Sequence, residues 1–338
     1  MLDRLLRYGA LVGLLGVLAI LWVPVLQGLQ APMMEGEEMH LSWMGRVIQG
    51  RGLYLPSAQF EEGVTPAYSP LYYYGAGGAS KLLKVDPLLA GRWYSISGAY
   101  IGLISIYLAC LFLTKTRWVG FLAVLLVSLH PIFRSDSVVL RPDLFAWGVS
   151  MFALVQVVQR RYWVALPFMV AAVFTKQNYV ALPIAVAAFL FLQNKALAFK
   201  WSAGFVLCCG AVLGMFSAMT GGEAFRHMIL YPLQSGGVSF TWQFSLVALM
   251  FVVVPVAFSV VYMVQYREVK TLIPVYFLVS LVVMVALIGK DGAGINYSFE
   301  VLAAGSLLTS LYFWRMISER SRKFGDMDSR VDVSTTSA

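Results

Sequence analysis

The chain has 338 residues, of which 59% are hydrophobic and only 12% are charged, and its mean hydropathy is +0.75. This composition excludes an ordinary soluble domain and is typical of a protein that crosses a membrane several times. The formal net charge of +8 is therefore first a signal of membrane topology and not of nucleic-acid binding. The cysteines Cys110, Cys208 and Cys209 lie in apolar runs, so they indicate neither a disulfide framework nor a metal cluster.

The apolar runs predict an all-α fold, a polytopic transmembrane helical bundle of about ten spans, because each run approaches the ~20 residues that a bilayer requires. The first run is long for a signal peptide and no small-residue cleavage site follows it, so we expect an uncleaved span. The spans are predicted at roughly 8–27, 91–113, 118–133, 142–158, 162–174, 178–193, 200–219, 243–265, 271–288 and 297–315. Residues 1–318 form the predicted transmembrane domain, and the polar segment 319–338 is expected to be a disordered cytoplasmic tail.

The basic residues orient this bundle. Fifteen of the 25 Lys and Arg residues fall in short segments on one side of the predicted spans, and the other ten are spread over longer segments on the opposite side. The positive-inside rule therefore places both termini in the cytoplasm. Eleven of the 17 acidic residues fall on the outer side, which thus holds the unusual polar groups.

The longest outer segment, 28–90, begins with an acidic helix. The stretch from Met34 to Tyr54 reads MEGEEMHLSWMGRVIQGRGLY. Its apolar residues recur at helical spacing and two glycines follow them, which predicts an amphipathic helix on the membrane surface. Glu35, Glu37 and Glu38 lie at the start of that helix, where the dipole favours carboxylates.

A second helix is predicted near residues 70–84 of the same segment. The run that opens with Leu71 and Tyr72 follows a loop with two prolines, contains three glycines and is short. A span here would also invert the charge rule for every later loop. We therefore interpret it as another interfacial helix with tyrosines at the depth of the lipid headgroups.

The acidic residues of the outer side are candidates for a general base. Three like charges within four residues raise each other's pKa, which suits proton transfer for Glu35, Glu37 or Glu38. A solvated patch that caps the helix is the structural alternative for each of them. Asp143 begins a span after Arg141 and Pro142, so an active-site role and a helix-dipole role are both open.

Cations on the outer side oppose the positive-inside rule and therefore call for a reason. Lys176 lies between two short apolar runs, and Lys290 precedes a glycine-rich turn whose N–H groups could approach a phosphate. Arg226 is a further phosphate-binding candidate. Snorkelling to lipid headgroups is the alternative reading of Lys176. Glu300, one turn into the last span, is the charge that structure alone explains least well.

The outer-face motifs occur in an order that resembles the GT-C superfamily of integral membrane glycosyltransferases, which use polyprenyl-phosphate sugars. The resemblance covers nearly the whole chain and is carried by EGEE at 35–38, GRGLY at 50–54, PAYSPLYYY at 66–74, RPDLFA at 141–146, TKQN at 175–178 and KDGAGINY at 290–297. The family usually has an aspartate at the start of the first loop, whereas this chain offers only glutamates there. It also lacks the C-terminal soluble domain of many members.

The resemblance implies a hexosyl- or pentosyltransferase that moves a sugar from a polyprenyl-phosphate donor to a lipid, glycan or protein acceptor. It places the active site on the outer face of a plasma membrane, that of a bacterium, with the base among Glu35, Glu37, Glu38 and Asp143. Substrate-binding residues would be Lys176, Lys290, Arg226, Arg141, Asn296, Tyr297 and Tyr72. No cofactor is required, although a divalent metal is compatible with the pattern, and no nucleic-acid partner is expected. A transporter or flippase, and a polymerase or ligase, of lipid-linked saccharides are the alternatives.

Overall fold

The structure is a computed structural model. It describes residues 31–34, 36–56, 66, 68–234, 242–288 and 295–334, together with nine positions between 9 and 29. At 234, 242–249, 251, 288, 295 and 321–334 the structure describes the backbone only. All regular secondary structure in the described part is helical, so the predicted all-α class is confirmed.

Two short helices form the described part of the first outer segment. Helix α1 spans Glu37–Ile48 and helix α2 spans Leu71–Leu83. With 13 residues, α2 is about 20 Å long and too short to cross a bilayer. The two helices pack together, and the predicted apolar face of α1 buries Trp43 and Met44. The outer segment thus forms a folded unit on the bundle.

Longer helices build the bundle itself. Its first part comprises α3 (Pro87–Thr114), α4 (Arg117–Ser128), α5 (Pro131–Asp136), α6 (Asp143–Val158), α7 (Tyr162–Thr175), α8 (Ala181–Gln193) and α9 (Lys195–Met219). Its second part comprises α10 (Glu223–Phe225), a π-helical turn (Arg226–Leu230), α11 (Tyr231–Gln234), α12 (Trp242–Tyr266), α13 (Leu272–Ile288), a 3-10 turn (Ile295–Ser298) and α14 (Phe299–Ser334). Helices occupy nine of the ten segments predicted as spans, and the tenth, 8–27, lies largely outside the described residues.

Within the described residues, three helical segments are long and apolar enough to cross a membrane: Pro87–Thr114, Lys195–Met219 and Asn296–Arg320. The others are apolar but shorter, with 10–17 residues in their apolar part. The described fold is therefore a helical bundle compatible with a membrane, and the count of ten spans remains a prediction.

Where the structure describes the connection, short turns join successive long helices, so these helices run in opposite directions and the bundle has two unlike ends. We call one the polar end, defined by Glu37, Asp143, Lys176 and Asn296, which hydrogen bonds tie to one another or to their neighbours. We call the other the basic end, defined by the turns 115–116, 159–161 and 267–271. The loops that the basic residues assign to the two sides of a membrane thus lie at opposite ends of the bundle.

Helices α3 and α6 approach so closely that their backbones touch. A Cβ atom on Gly148 would lie 2.1 Å from the carbonyl oxygen of Gly98, and a Cβ atom on Gly98 would lie 2.3 Å from the Cα atom of Phe145. Small residues permit such contact between helices in membranes. This pair forms the centre of the bundle. Its helix α6 begins at Asp143, in the polar end.

Two segments differ in detail from the sequence prediction. The span predicted at 118–133 is divided into α4 and α5 at His130 and Pro131, because proline disfavours helical backbone in the residue before it. Helix α14 continues to Ser334, so most of the segment 319–338 that we expected to be disordered is helical in the structure.

Candidate functional site

Glu37 opens helix α1 and is completely buried. Its Oε1 accepts hydrogen bonds from Arg92 Nε (3.0 Å) and the Leu140 backbone N–H (2.6 Å), and its Oε2 accepts from Arg92 Nη2 (2.6 Å) and the Met34 backbone N–H (2.8 Å). Burial acts to raise the pKa of Glu37, but these hydrogen bonds outweigh it and hold the pKa below its ordinary value. A carboxylate with all its acceptor sites engaged is suited to fixing α1 in place and not to taking up a proton.

Arg92, the partner of Glu37, also binds the backbone that precedes α1. Its Nη1 donates to the carbonyls of Gly28 (2.7 Å) and Ala31 (3.0 Å), and its Nη2 donates to that of Pro32 (3.2 Å). The side chain is 1% exposed. Sequence analysis did not single out Arg92, although a lone arginine at the start of the long apolar run 91–113 was a usable signal.

A second buried ion pair joins helices from three parts of the chain. Lys176 follows α7, and its amine donates a short hydrogen bond to Oδ1 of Asp143, the first residue of α6. Asn296 Nδ2 donates to the same oxygen at 2.6 Å. Asp143 and Lys176 are only 2% and 3% exposed. Three residues predicted for the site from separate motifs therefore meet at one point.

Aromatic rings surround the amine of Lys176. It lies 5.5 Å from the ring centroid of Tyr68 and 5.2 Å from that of Tyr297, within the range of cation–π attraction. Burial is the largest single influence and acts to lower the pKa of Lys176, but Asp143, Tyr68 and Tyr297 together raise it by more, so the pKa lies above its ordinary value. Lys176 is therefore charged at neutral pH.

Helix α1 contributes His40 to this region. The His40 ring is 4% exposed, and its Nδ1 lies 2.7 Å from the hydroxyl of Tyr73. Burial lowers the pKa of His40 to about 3, against the opposing charge of Asp143 and with the help of Arg141 and Lys176. The ring is thus neutral at physiological pH. The sequence analysis did not single out His40, whereas the fold brings it within the electrostatic influence of Asp143.

Two further charged groups flank the pair. Arg141 lies against Gly36, whose Cβ position would be 3.0 Å from Nη2 of the arginine, and a φ of +83° at Gly36 favours glycine there as well. Asp136 ends helix α5, and burial together with the Asp143 charge raises its pKa to about 6. The polar end thus gathers two cations, Arg141 and Lys176, and two carboxylates, Asp136 and Asp143.

The remaining predicted site residues lie apart from this group or outside the described residues. Glu35 and Lys290 fall outside the described part of the chain, and Glu38 is exposed. Arg226 is half exposed and pairs with Glu223 at 2.7 Å. Tyr72 is buried against α3, where its hydroxyl donates to the Gly91 carbonyl (3.0 Å) and lies 2.8 Å from the Ser95 hydroxyl. The Asp143 group therefore unites Asp143, Lys176, Asn296 and Tyr297, with Arg141 beside them.

His227, next to Arg226, ties down the outer loop. Its Nε2 lies 2.7 Å from the carbonyl oxygen of Leu55 and its Nδ1 lies 3.3 Å from that of Pro66. Burial lowers the pKa of His227 more than these carbonyls and Glu223 raise it. The imidazole thus lies against the carbonyls of Leu55 and Pro66, and a neutral ring donates its single N–H to one of them.

In the described part of the chain, no group of three or more His, Cys, Asp or Glu side chains lies close enough together to hold a metal ion. Comparison with protein-family models, curated proteins and solved structures finds no match for this chain.

Proposed function

We propose that this chain is a membrane-embedded glycosyltransferase that moves a sugar from a polyprenyl-phosphate donor to an acceptor hydroxyl at the polar end of the bundle. The observation that carries the proposal is the buried Asp143–Lys176 pair, with Asn296 on the same carboxylate oxygen and Tyr297 over the amine. A carboxylate and fixed cations are the groups that this transfer requires, since the leaving group is itself a phosphate.

Asp143 is the best candidate for the general base among the described carboxylates. Glu37 is saturated by four hydrogen bonds, and Glu38 is exposed to solvent. In the proposed step the acceptor oxygen bonds to the anomeric carbon while the bond from that carbon to the phosphate oxygen breaks. The hydroxyl proton passes to Asp143, and the electron pair leaves with the polyprenyl phosphate. Lys176 and Arg141 offset the charge on that phosphate.

The proposed setting is a ten-span bundle in a bacterial plasma membrane with the polar end outside the cytoplasm. The basic pairs in the turns of the opposite end support this orientation. Three helices of the described part that are long and apolar enough to span support the membrane setting. A lipid-linked donor would then present its phosphate at the depth where the Asp143 group lies.

The distribution of buried charge favours a transferase over a transporter. Among the described residues, the buried Asp, Glu, Lys and Arg side chains all lie at the polar end: Glu37, Arg92, Asp143, Lys176, Glu223 and Glu300. A transporter of lipid-linked saccharides would be expected to place such groups at midplane, on helices broken there.

The test is a transfer assay with the purified protein in lipid nanodiscs and a panel of radiolabelled polyprenyl-phosphate sugars. Asp143→Asn should lower the rate by roughly 10²–10⁴-fold. The single variant leaves the Lys176 amine buried beside a neutral amide, so the double variant Asp143→Asn with Lys176→Met provides a folded control without either charge. Glu38→Gln is the matched exposed control and should retain activity.

Two outcomes would overturn the proposal. One is that the double variant, with normal thermal stability, transfers sugar at a rate close to that of the wild type. The other is that the wild-type protein transfers no sugar from any donor of the panel to lipid, glycan or peptide acceptors.

A further inference from the structure

A small cavity adjoins the Asp143 group and has no part in the proposed transfer. Its volume is about 10 Å³, close to the space that one water molecule needs. Three aliphatic residues of α13 form part of its wall. The polar side chains that line it are Asn178, Tyr179, Ser280, Asn296, Tyr297 and Glu300.

Three of these polar side chains carry a buried oxygen without a hydrogen-bond partner among the described residues: Asn178 Oδ1, the Tyr179 hydroxyl and Asn296 Oδ1. Tyr179 is only 2% exposed. The orientation of the Asn296 amide is fixed, because its Nδ2 donates to Asp143 and its oxygen must then lie on the other side. Amide oxygens only accept hydrogen bonds, so the cavity presents a surplus of acceptors.

Glu300 adds a carboxyl group to the same cavity. It is 6% exposed, and it accepts hydrogen bonds from the Tyr276 hydroxyl, at 3.2 Å from Oε1, and from the backbone N–H groups of Ala181 and Leu182. The ion pairs of the described residues give Glu300 no Lys, Arg or His partner, whereas the neighbouring Asp143 is paired with Lys176. A buried carboxylate is costly unless a positive charge or a proton compensates it.

We propose that this cavity is a binding site for one monovalent cation of the size of Na⁺, held by the Glu300 carboxylate and by the oxygens of Asn178, Asn296 and Tyr179. Oxygen atoms are the ligands that hard cations take in proteins. One uncompensated carboxylate balances one positive charge, whereas sites for Ca²⁺ or Mg²⁺ commonly combine several carboxylates. The small volume excludes a sugar ring or a headgroup.

The site has a structural link to the Asp143 group. The amide of Asn296 would bind the cation through Oδ1 and Asp143 through Nδ2, so the cation polarises the amide and strengthens its hydrogen bond to the carboxylate. The proposal concerns binding alone and does not depend on sugar transfer.

The test uses the purified full-length protein and compares its thermal unfolding in NaCl, KCl and choline chloride at equal ionic strength. Na⁺ should raise the midpoint saturably, by about 2 °C or more, with less effect from K⁺ and none from choline. Radioactive ²²Na⁺ should bind with a stoichiometry of one per chain. An equal response to all three salts, with no bound ²²Na⁺, would mean that the cavity holds water only and would overturn the proposal.

Three variants test whether the response of thermal unfolding to Na⁺ comes from this cavity. Glu300→Gln should abolish the response to Na⁺ and should unfold at least as late as the wild type in Na⁺-free choline chloride, because it removes a buried charge. Tyr179→Phe removes one unpaired oxygen and no packing volume, so it provides a folded second test and should weaken Na⁺ binding by about tenfold. Glu38→Gln, on an exposed carboxylate, should respond as the wild type does. A normal Na⁺ response in Glu300→Gln or Tyr179→Phe would place the ion elsewhere.

Discussion

Glu37 and Arg92 form a buried pair in which each carboxylate oxygen accepts one hydrogen bond from the guanidinium, at 3.0 and 2.6 Å. The pair joins the start of α1 to α3, and Arg92 also donates hydrogen bonds to the carbonyls of Gly28, Ala31 and Pro32. The acidic start of the outer loop is therefore divided between two roles. One glutamate holds the helix that carries His40, and its neighbour Glu38 faces solvent.

We predict that Glu37→Gln destabilises the protein while Glu38→Gln does not. Removing one partner of a buried ion pair leaves Arg92 uncompensated and costs about 3–5 kcal/mol. Unfolding of both variants in detergent, followed by circular dichroism, measures the difference. Equal unfolding midpoints for Glu37→Gln and wild type would show that the pair is not what holds α1.

We predict that His40 makes the protein less stable as the pH falls below 6.5. The folded-state pKa of His40 is about 3 and its ordinary value is 6.5. The unfolded chain therefore binds the proton first, and the stabilising contribution, complete above pH 6.5, is lost towards pH 3 by about 1.4 kcal/mol per pH unit.

Asp136 has the opposite effect on the pH dependence of stability. Its pKa is raised from 3.8 to about 6, so its negative charge lowers the free energy of unfolding above that range. The measurement is therefore the difference in unfolding free energy between wild type and His40→Gln from pH 7 to pH 5. Glu37 does not interfere there, since its pKa lies below 4.5. A difference that stays constant across this range would contradict the burial of a neutral His40.

We predict that Gly148→Ala is strongly destabilising, on the order of 3 kcal/mol, because the new methyl group would collide with the Gly98 carbonyl. Gly210→Ala is the matched control, since no atom lies within 4 Å of its Cβ position. Thermal unfolding of the two variants in the same detergent gives the comparison. A Gly148→Ala protein as stable as Gly210→Ala would mean that α3 and α6 are not in backbone contact.

We predict that the polar and basic ends lie on opposite sides of the membrane. In a background without native cysteines, Lys81→Cys should react with a membrane-impermeant maleimide added to intact cells. Lys195→Cys should react only after the cells are opened. Both positions are exposed and lie at helix surfaces of opposite ends. Labelling of both positions in intact cells, or of Lys195→Cys alone, would refute the orientation.

The helices themselves were largely predictable, because their apolar runs and breaker residues are local features. The start of α1 at the glutamates, its end before Gly50 and the short α2 all follow from the sequence pattern. The sequence analysis did not predict the break at Pro131, although the proline itself explains it, because proline disfavours helical backbone in the preceding residue.

Side-chain partners were harder to predict, because they depend on the direction in which each residue points. Glu37 and Glu38 are neighbours on a helix and thus point about 100° apart, so one is buried and one is exposed. Periodicity could not decide which of them faces Arg92. Asp143 meets Lys176 and Asn296, which lie 33 and 153 residues further along the chain, and this convergence is a property of the fold alone.

The backbone contact between Gly98 and Gly148 limits the directions from which a molecule could reach Asp143. Helices that touch at their main chains can neither slide nor part without losing the contact, so α3 and α6 behave as one rigid wall behind the carboxylate. Under the function that we propose, a lipid-linked donor would then approach Asp143 from the side on which α1 and the turn at Lys176 lie. Substitutions that loosen the packing of α1 should change the rates of substrate binding and release. Substitutions at the contact between α3 and α6 should change whether the protein folds.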